Sequence, residues 1–221
     1  MIHVKICGIK SLEEALWSAE AGADALGFIL VPASKRYIEP SLIREISAQL
    51  PPYIARIGVF VNTPPSEVKE LAERCGLTGI QLHGEENPEN YRQIALPLIK
   101  ALRVPAEATE TSPKGKSGSG NIGDWRGLVQ GLLVDSVVAG QFGGTGFSLP
   151  WNDAASQNLF AEIRSAGIPL ILAGGLTLDN IEEGIRIVKP YAVDVSSGVE
   201  RDGRKAAALI KEFIRKAKAA G

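Results

Sequence analysis

Short apolar runs alternate with longer amphipathic stretches along the whole chain. The runs fall at Ile2–Cys7, Ala25–Leu30, Ala55–Val61, Gly79–Leu82, Leu98–Leu102, Gly131–Asp135, Leu170–Leu172 and Ala192–Val195. Helical patterns lie between and after them, at Ser11–Glu20, Pro40–Gln49, Pro65–Arg74, Pro88–Ile94, Gly123–Gln130, Trp151–Ser165, Leu178–Val188 and Gly203–Ala219. Strands that alternate with helices in this way predict a parallel sheet with crossover helices. Eight such units in 221 residues average about 28 residues each, which fits a compact α/β fold of the (β/α)8 TIM barrel type. A doubly wound open sheet is the main alternative, but it normally needs fewer strands in this length. Residues 1–221 are therefore expected to form one barrel domain.

Local signals support the helices. Ser11 followed by Glu14 fits a capping box. Thr177, after a Gly-Gly pair, suits the N-cap of the seventh helix. In the last helix Leu209, Ile210, Phe213, Ile214 and Ala217 recur on one face, as an amphipathic helix on a sheet requires. The stretch Ser112–Gly123 (SPKGKSGSGNIG) reads as a loop after the fifth strand.

The net charge of -1 provides no global basic field for nucleic acid or an anionic membrane. Any phosphate must be held locally. Two cysteines, Cys7 and Cys75, make neither a disulfide framework nor a metal pattern, so no metal is expected. A reduced, cytoplasmic setting follows, and the first residues read as a strand rather than a leader segment.

In such a barrel the chemistry sits where strands end and loops begin, at the C-terminal mouth. On the first strand His3, Lys5 and Cys7 share the inward face. Cys7 reaches the mouth either as a small core residue or as a reactive thiolate. Lys5, one layer deeper, needs a buried partner, for which Asp194 is a candidate. Asp135 closes the sixth strand, either as a loop cap or as a general acid with a raised pKa. Gln81 and His83 alternate inward on the fourth strand, and His83 suits a neutral structural role as well as ligand contact. Lys35 and Arg36 could meet an anionic substrate, although a solvated surface pair is the commoner fate of such charges.

The phosphate signal rests on two turns. The seventh strand ends in Ala173-Gly174-Gly175 and the eighth in Asp194-Val195-Ser196-Ser197-Gly198. Small residues there let backbone amides approach a phosphate. Gly143-Gly144-Thr145-Gly146 after the sixth strand suggests a further phosphate-facing backbone or a hinged lid.

These residues, together with Lys5-Ile6-Cys7-Gly8, Gly22-Ala23-Asp24-Ala25-Leu26-Gly27-Phe28, Ser34-Lys35-Arg36-Tyr37, Gly58-Val59-Phe60-Val61-Asn62, Gln81-Leu82-His83-Gly84 and Asp194-Val195-Ser196-Ser197-Gly198-Val199-Glu200, resemble the phosphoribosylanthranilate isomerase family in the same order. The resemblance covers essentially the whole chain. It implies a TIM barrel that carries out the Amadori rearrangement of N-(5-phosphoribosyl)anthranilate in tryptophan biosynthesis. By position it implies Cys7 as general base, Asp135 as general acid and Arg36 at the anthranilate moiety. It puts Gln81, His83, Gly144, Gly174, Gly175, Ser196, Ser197 and Gly198 around the phosphorylated substrate. No cofactor is expected, since every step is a proton transfer. The expected partner is that small molecule, with the chain a monomer or homodimer. One departure stands out: Phe147-Ser148-Leu149-Pro150 occupies positions where the family often has a Lys, then an Asp, before the Trp. Rival readings are a related phosphosugar barrel enzyme of histidine or tryptophan biosynthesis and a non-catalytic phosphosugar-binding module. The latter has no need of Cys7 and Asp135 together.

Overall fold

The computed structural model describes residues 1–105, 121–137 and 151–221. The glycine run at 143–146, the departure at 147–150 and most of the loop at 112–123 lie outside them. Eight parallel strands close into a barrel in sequence order. They are β1 (His3–Cys7), β2 (Ala25–Ile29), β3 (Ala55–Phe60), β4 (Gly79–Leu82), β5 (Leu98–Pro105), β6 (Gly131–Val137), β7 (Leu170–Leu172) and β8 (Ala192–Val195). β8 pairs with β1, setting Lys5 opposite Asp194 and Ile6 opposite Val195.

Side-chain alternation then sorts the residues. Outward positions such as Ile6, Leu26, Phe28, Phe60, Ile80 and Leu132 are fully buried in the shell between sheet and helices. Each large side chain buried there contributes about 1.5–3 kcal/mol. The inward positions Ala101, Leu133, Ile171, Ala173 and Ala192, with Ile99, form a separate small plug inside the barrel. Lys5, Gln81 and Asp194, also buried, add a polar layer to that interior.

The helices are α1 (Leu12–Glu20), α2 (Pro40–Gln49), α3 (Pro65–Cys75), α4 (Ile122–Trp125), α5 (Ala154–Ser165), α6 (Ile181–Val188) and α7 (Ala207–Ala220). Four expectations need correction. After β4 only a 3-10 turn forms, at Pro88–Tyr91; Asn87 opens it by accepting from the Glu89 amide, and Tyr91 is anchored by its hydroxyl on the Thr63 carbonyl. The fifth helix is the single turn of α4, with a capping box of Asn121 and Asp124 and a left-handed Gly127 beyond it. Thr177 does not cap α6: its hydroxyl accepts from the Asp179 amide, and the N-cap is Asn180. The stretch before α7 is a hairpin, Glu200–Arg201 paired with Arg204–Lys205. Asp202 and Gly203 turn it at positive φ, the Asp-Gly signal of such turns.

Ser11 does cap α1, accepting from the Glu14 amide at 3.2 Å. The other half of the box is altered: the Glu14 carboxylate takes the amides of Lys10 and Lys205 instead. It thereby ties α1 to the hairpin. Among the described residues no helix is long and apolar enough to cross a membrane.

Candidate active site

A cavity of about 580 Å³ opens at the C-terminal mouth of the barrel. Cys7, Arg36, Gln81, His83, Asp135 and Gly174 line it, and so do Gly175, Ser196, Ser197, Lys35 and Asp194. Nearly all the residues singled out in the sequence therefore meet in one place. Gly144 lies outside the described residues. Gly198 is not on the wall: a Cβ there would run into the Leu176 carbonyl and press on Thr177 Cα at 3.1 Å. Its lack of a side chain lets the loops after β7 and β8 pack together.

Cys7 ends β1, and the missing side chain of Gly27 on β2 makes room for it. A Cβ at Gly27 would come within 2.7 Å of Cys7 Sγ and 3.1 Å of Lys5 Cε. Lys5 Nζ donates to Asp194 Oδ2 and to Gln81 Oε1, both at 2.9 Å, so the partner expected from the sequence is present. Burial pulls the Lys5 ammonium down, but Asp194 and Cys7 outweigh it, and its pKa stands above that of an ordinary lysine. Burial pushes the Cys7 thiol up. Lys5 and, less strongly, Lys205 pull the other way without cancelling it.

Across the mouth His83 Nε2 lies 3.2 Å from Asp135 Oδ2, and Gln81 Nε2 lies 2.9 Å from His83 Nδ1. The Asp135 carboxylate faces this histidine and the cavity. Asp194 Oδ1 is buried without a hydrogen-bond partner among the described residues.

Arg36 is buried rather than a solvated surface charge. Its Nε and Nη2 meet Glu200 Oε1 and Oε2 at 2.7 and 2.9 Å. Lys205 Nζ joins the same carboxylate at 2.8 Å and also donates to the Ser196 carbonyl. Burial would raise the Glu200 pKa, but its bonds to Arg36 and Lys205 prevail and hold it at about 2. The sequence reading gave no role to Lys205 and none to Glu200 beyond the final motif. Asp202-Gly203 was the signal available, since the hairpin it turns brings both to the mouth.

The far wall is backbone. Gly174 and Gly175 both adopt positive φ, 79° and 63°, a region that favours glycine. Asn180 secures this turn, donating from Nδ2 to the Gly175 carbonyl at 2.9 Å and accepting the Thr177 amide at 2.8 Å. The Ser196 hydroxyl is spent on the Cys7 carbonyl at 3.0 Å, which braces the end of β8 against that of β1. Ile29, Val31, Val59 and Val61 give the cavity an apolar side near Arg36. Among the described residues no cluster of His, Cys, Asp or Glu could hold a metal ion.

The arrangement offers a thiol, a carboxylic acid, a fixed guanidinium beside an apolar slot, and a glycine turn suited to an anion. A family model described as N-(5'phosphoribosyl)anthranilate (PRA) isomerase matches residues 4–216. An N-(5'-phosphoribosyl)anthranilate isomerase of Desulfitobacterium hafniense is 45% identical, covering 99% of this chain and 98% of its own. The crystal structure of phosphoribosyl anthranilate isomerase from Thermotoga maritima superposes with a TM-score of 0.83 at 40% identity, covering 99% of this chain and 100% of its own. A phosphoribosyl anthranilate isomerase in complex with reduced 1-(o-carboxyphenylamino)-1-deoxyribulose 5-phosphate superposes at 0.77 and 39% identity, with 99% and 100% covered.

Proposed function

Because the chain belongs to the N-(5'-phosphoribosyl)anthranilate isomerase family, we propose that it performs that isomerisation with Cys7 as general base and Asp135 as general acid. It is an isomerase of tryptophan biosynthesis, converting N-(5-phosphoribosyl)anthranilate to 1-(2-carboxyphenylamino)-1-deoxyribulose 5-phosphate. The observation that carries the residue assignment is that Cys7 and Asp135 line one cavity together with the glycine turn and Arg36.

The chemistry requires two proton movements. Asp135, protonated, gives a proton to the ribose ring oxygen, and the C1′–O bond breaks as the anilino nitrogen forms a Schiff base. Cys7, as thiolate, removes the proton from C2′, and the electron pair moves toward the protonated nitrogen to give an enolamine. Tautomerisation returns a proton to C1′ and leaves the ketone at C2′. General acid–base steps of this kind are worth about 10²- to 10⁴-fold each. C2′ is oxidised as C1′ is reduced within the one molecule, so the steps call for no external oxidant or reductant.

The substrate's anthranilate ring suits the slot of Ile29, Val31, Val59 and Val61, with its carboxylate toward Arg36. Its phosphate suits the amides around Gly174, Gly175, Ser196 and Ser197. Gln81 and His83 line the same cavity. Burial keeps Cys7 protonated more than an ordinary thiol, and the positive Schiff base formed beside it favours the thiolate when it is needed. The chain acts as one domain over 1–221, as a monomer or homodimer, on a small phosphorylated molecule in the cytoplasm, and neither nucleic acid nor membrane takes part.

The test is a fluorescence assay on freshly prepared phosphoribosylanthranilate. The purified protein should abolish its fluorescence at a rate proportional to enzyme concentration. A decay indistinguishable from the buffer control would refute the reading.

A further inference from the structure

A line of polar contacts crosses the cavity floor from the thiol side to the acid side. Lys5 Nζ meets Gln81 Oε1 at 2.9 Å. Gln81 Nε2 meets His83 Nδ1 at 2.9 Å. His83 Nε2 meets Asp135 Oδ2 at 3.2 Å. Three strands supply it: Lys5 from β1, Gln81 from β4 with His83 just beyond its end, and Asp135 from β6.

The direction of every link follows from donor chemistry. An ammonium can only donate, so the amide atom that faces Lys5 is the oxygen. The amide nitrogen therefore faces the imidazole. That nitrogen can only donate as well, so His83 Nδ1 must present its lone pair. The single ring proton then sits on Nε2, the ring nitrogen 3.2 Å from Asp135 Oδ2. The Lys5 end is anchored by Asp194 Oδ2 at 2.9 Å, and Gln81 is 1% exposed, so the amide has little room to flip.

We infer that Gln81 and His83 are positioning residues for the acid: the Lys5 ammonium, acting through Gln81, locks His83 as its Nε2–H tautomer, so that the ring presents a donor rather than a lone pair to the Asp135 carboxylate. A donor held beside the carboxylate favours one orientation of the acid, and orientation of a reacting group is worth large factors in rate. The inference rests on Asp135 being the acid.

The test uses the intact protein, whose only histidines are His3 and His83. Long-range ¹H–¹⁵N spectra of ¹⁵N-histidine protein report directly which ring nitrogen carries the proton. The wild type should show His83 protonated on Nε2 and not on Nδ1. In Gln81→Met the lock is gone, so a mixture of tautomers is expected. There kcat should fall roughly tenfold to a hundredfold, on the scale of a misplaced reacting group, while KM stays near its original value. Gln81→Glu presents only acceptors to Nδ1 and should draw a proton there. A wild-type His83 protonated on Nδ1 overturns the inference with no variant needed. So does Gln81→Met with unchanged kcat, or with a raised KM alone, which would make Gln81 a substrate contact. The tautomer is read in the ligand-free protein, so this failure is separate from that of the acid assignment, which Asp135→Asn tests by kcat.

Discussion

Glu200 grips the Arg36 guanidinium through both carboxylate oxygens, at 2.7 and 2.9 Å, and Lys205 braces the same carboxylate at 2.8 Å. A long cationic side chain is thereby held in one orientation at the cavity wall before substrate arrives. Arg36→Met should raise KM by roughly tenfold or more, since a charge-assisted bond is worth about 1.5–3 kcal/mol, with a smaller change in kcat. Steady-state kinetics decide it; a KM that stays put removes Arg36 from the substrate site.

The pair proposed to transfer protons makes a different prediction. Cys7→Ser and Asp135→Asn should each lower kcat by about a hundredfold or more, with KM changing far less. Both substitutions are nearly isosteric, so circular dichroism should match the wild type. Near-normal turnover in either folded variant would withdraw that residue's role.

The Cys7 thiol titrates above an ordinary thiol because burial outweighs the pull of Lys5 and Lys205. In the ligand-free protein its thiolate is therefore scarce at neutral pH and grows as pH rises. Alkylation by iodoacetamide, measured in a Cys75→Ala background, should climb through and beyond the ordinary thiol value of 9.0. Lys5→Met should move the curve higher still, because Asp194 loses its counter-charge. A rate already on its plateau at neutral pH would contradict this account.

Away from the mouth, Lys100 and Glu86 form an ion pair at 2.7 Å with both side chains fully buried. Glu86 also holds the amides of Asn62 and Gly84, and Lys100 lies 5.4 Å from the Trp125 ring centroid. Glu86→Ala strands a buried ammonium and should cost about 3–5 kcal/mol, as broken buried pairs do. Urea denaturation checks it. The double variant with Lys100→Met should lose less than the sum of the singles; strict additivity would mean the pair is not coupled.

The barrel was legible because inward and outward faces alternate along strands whose outward residues are almost all apolar. The pairing of Lys5 with Asp194 could be anticipated for the same reason: both occupy inward positions on strands that a closed barrel makes neighbours. Arg36 was harder. Its local sequence resembles any exposed basic pair, and the carboxylate that buries it lies 164 positions away. The helix expected after β4 failed because apolar spacing around Tyr91 and Ile94 does not distinguish a 3-10 turn from a helix of the same length. The hairpin ahead of α7 was hidden by the strong periodicity of the helix that follows it. The tie of Asn180 to Gly175 depends on three-dimensional folding of a turn that the sequence marks only by its glycines.

The seam where β8 meets β1 also sets an order of events during synthesis. Cys7 and Lys5 leave the ribosome well before Asp194, Ser196, Glu200 and Lys205. Until that last strand docks, the ammonium beneath the thiol lacks its counter-ion and the carbonyl of Cys7 lacks its brace. A nascent chain thus carries the thiol long before the thiol has its surroundings, and only closure of the ring supplies them.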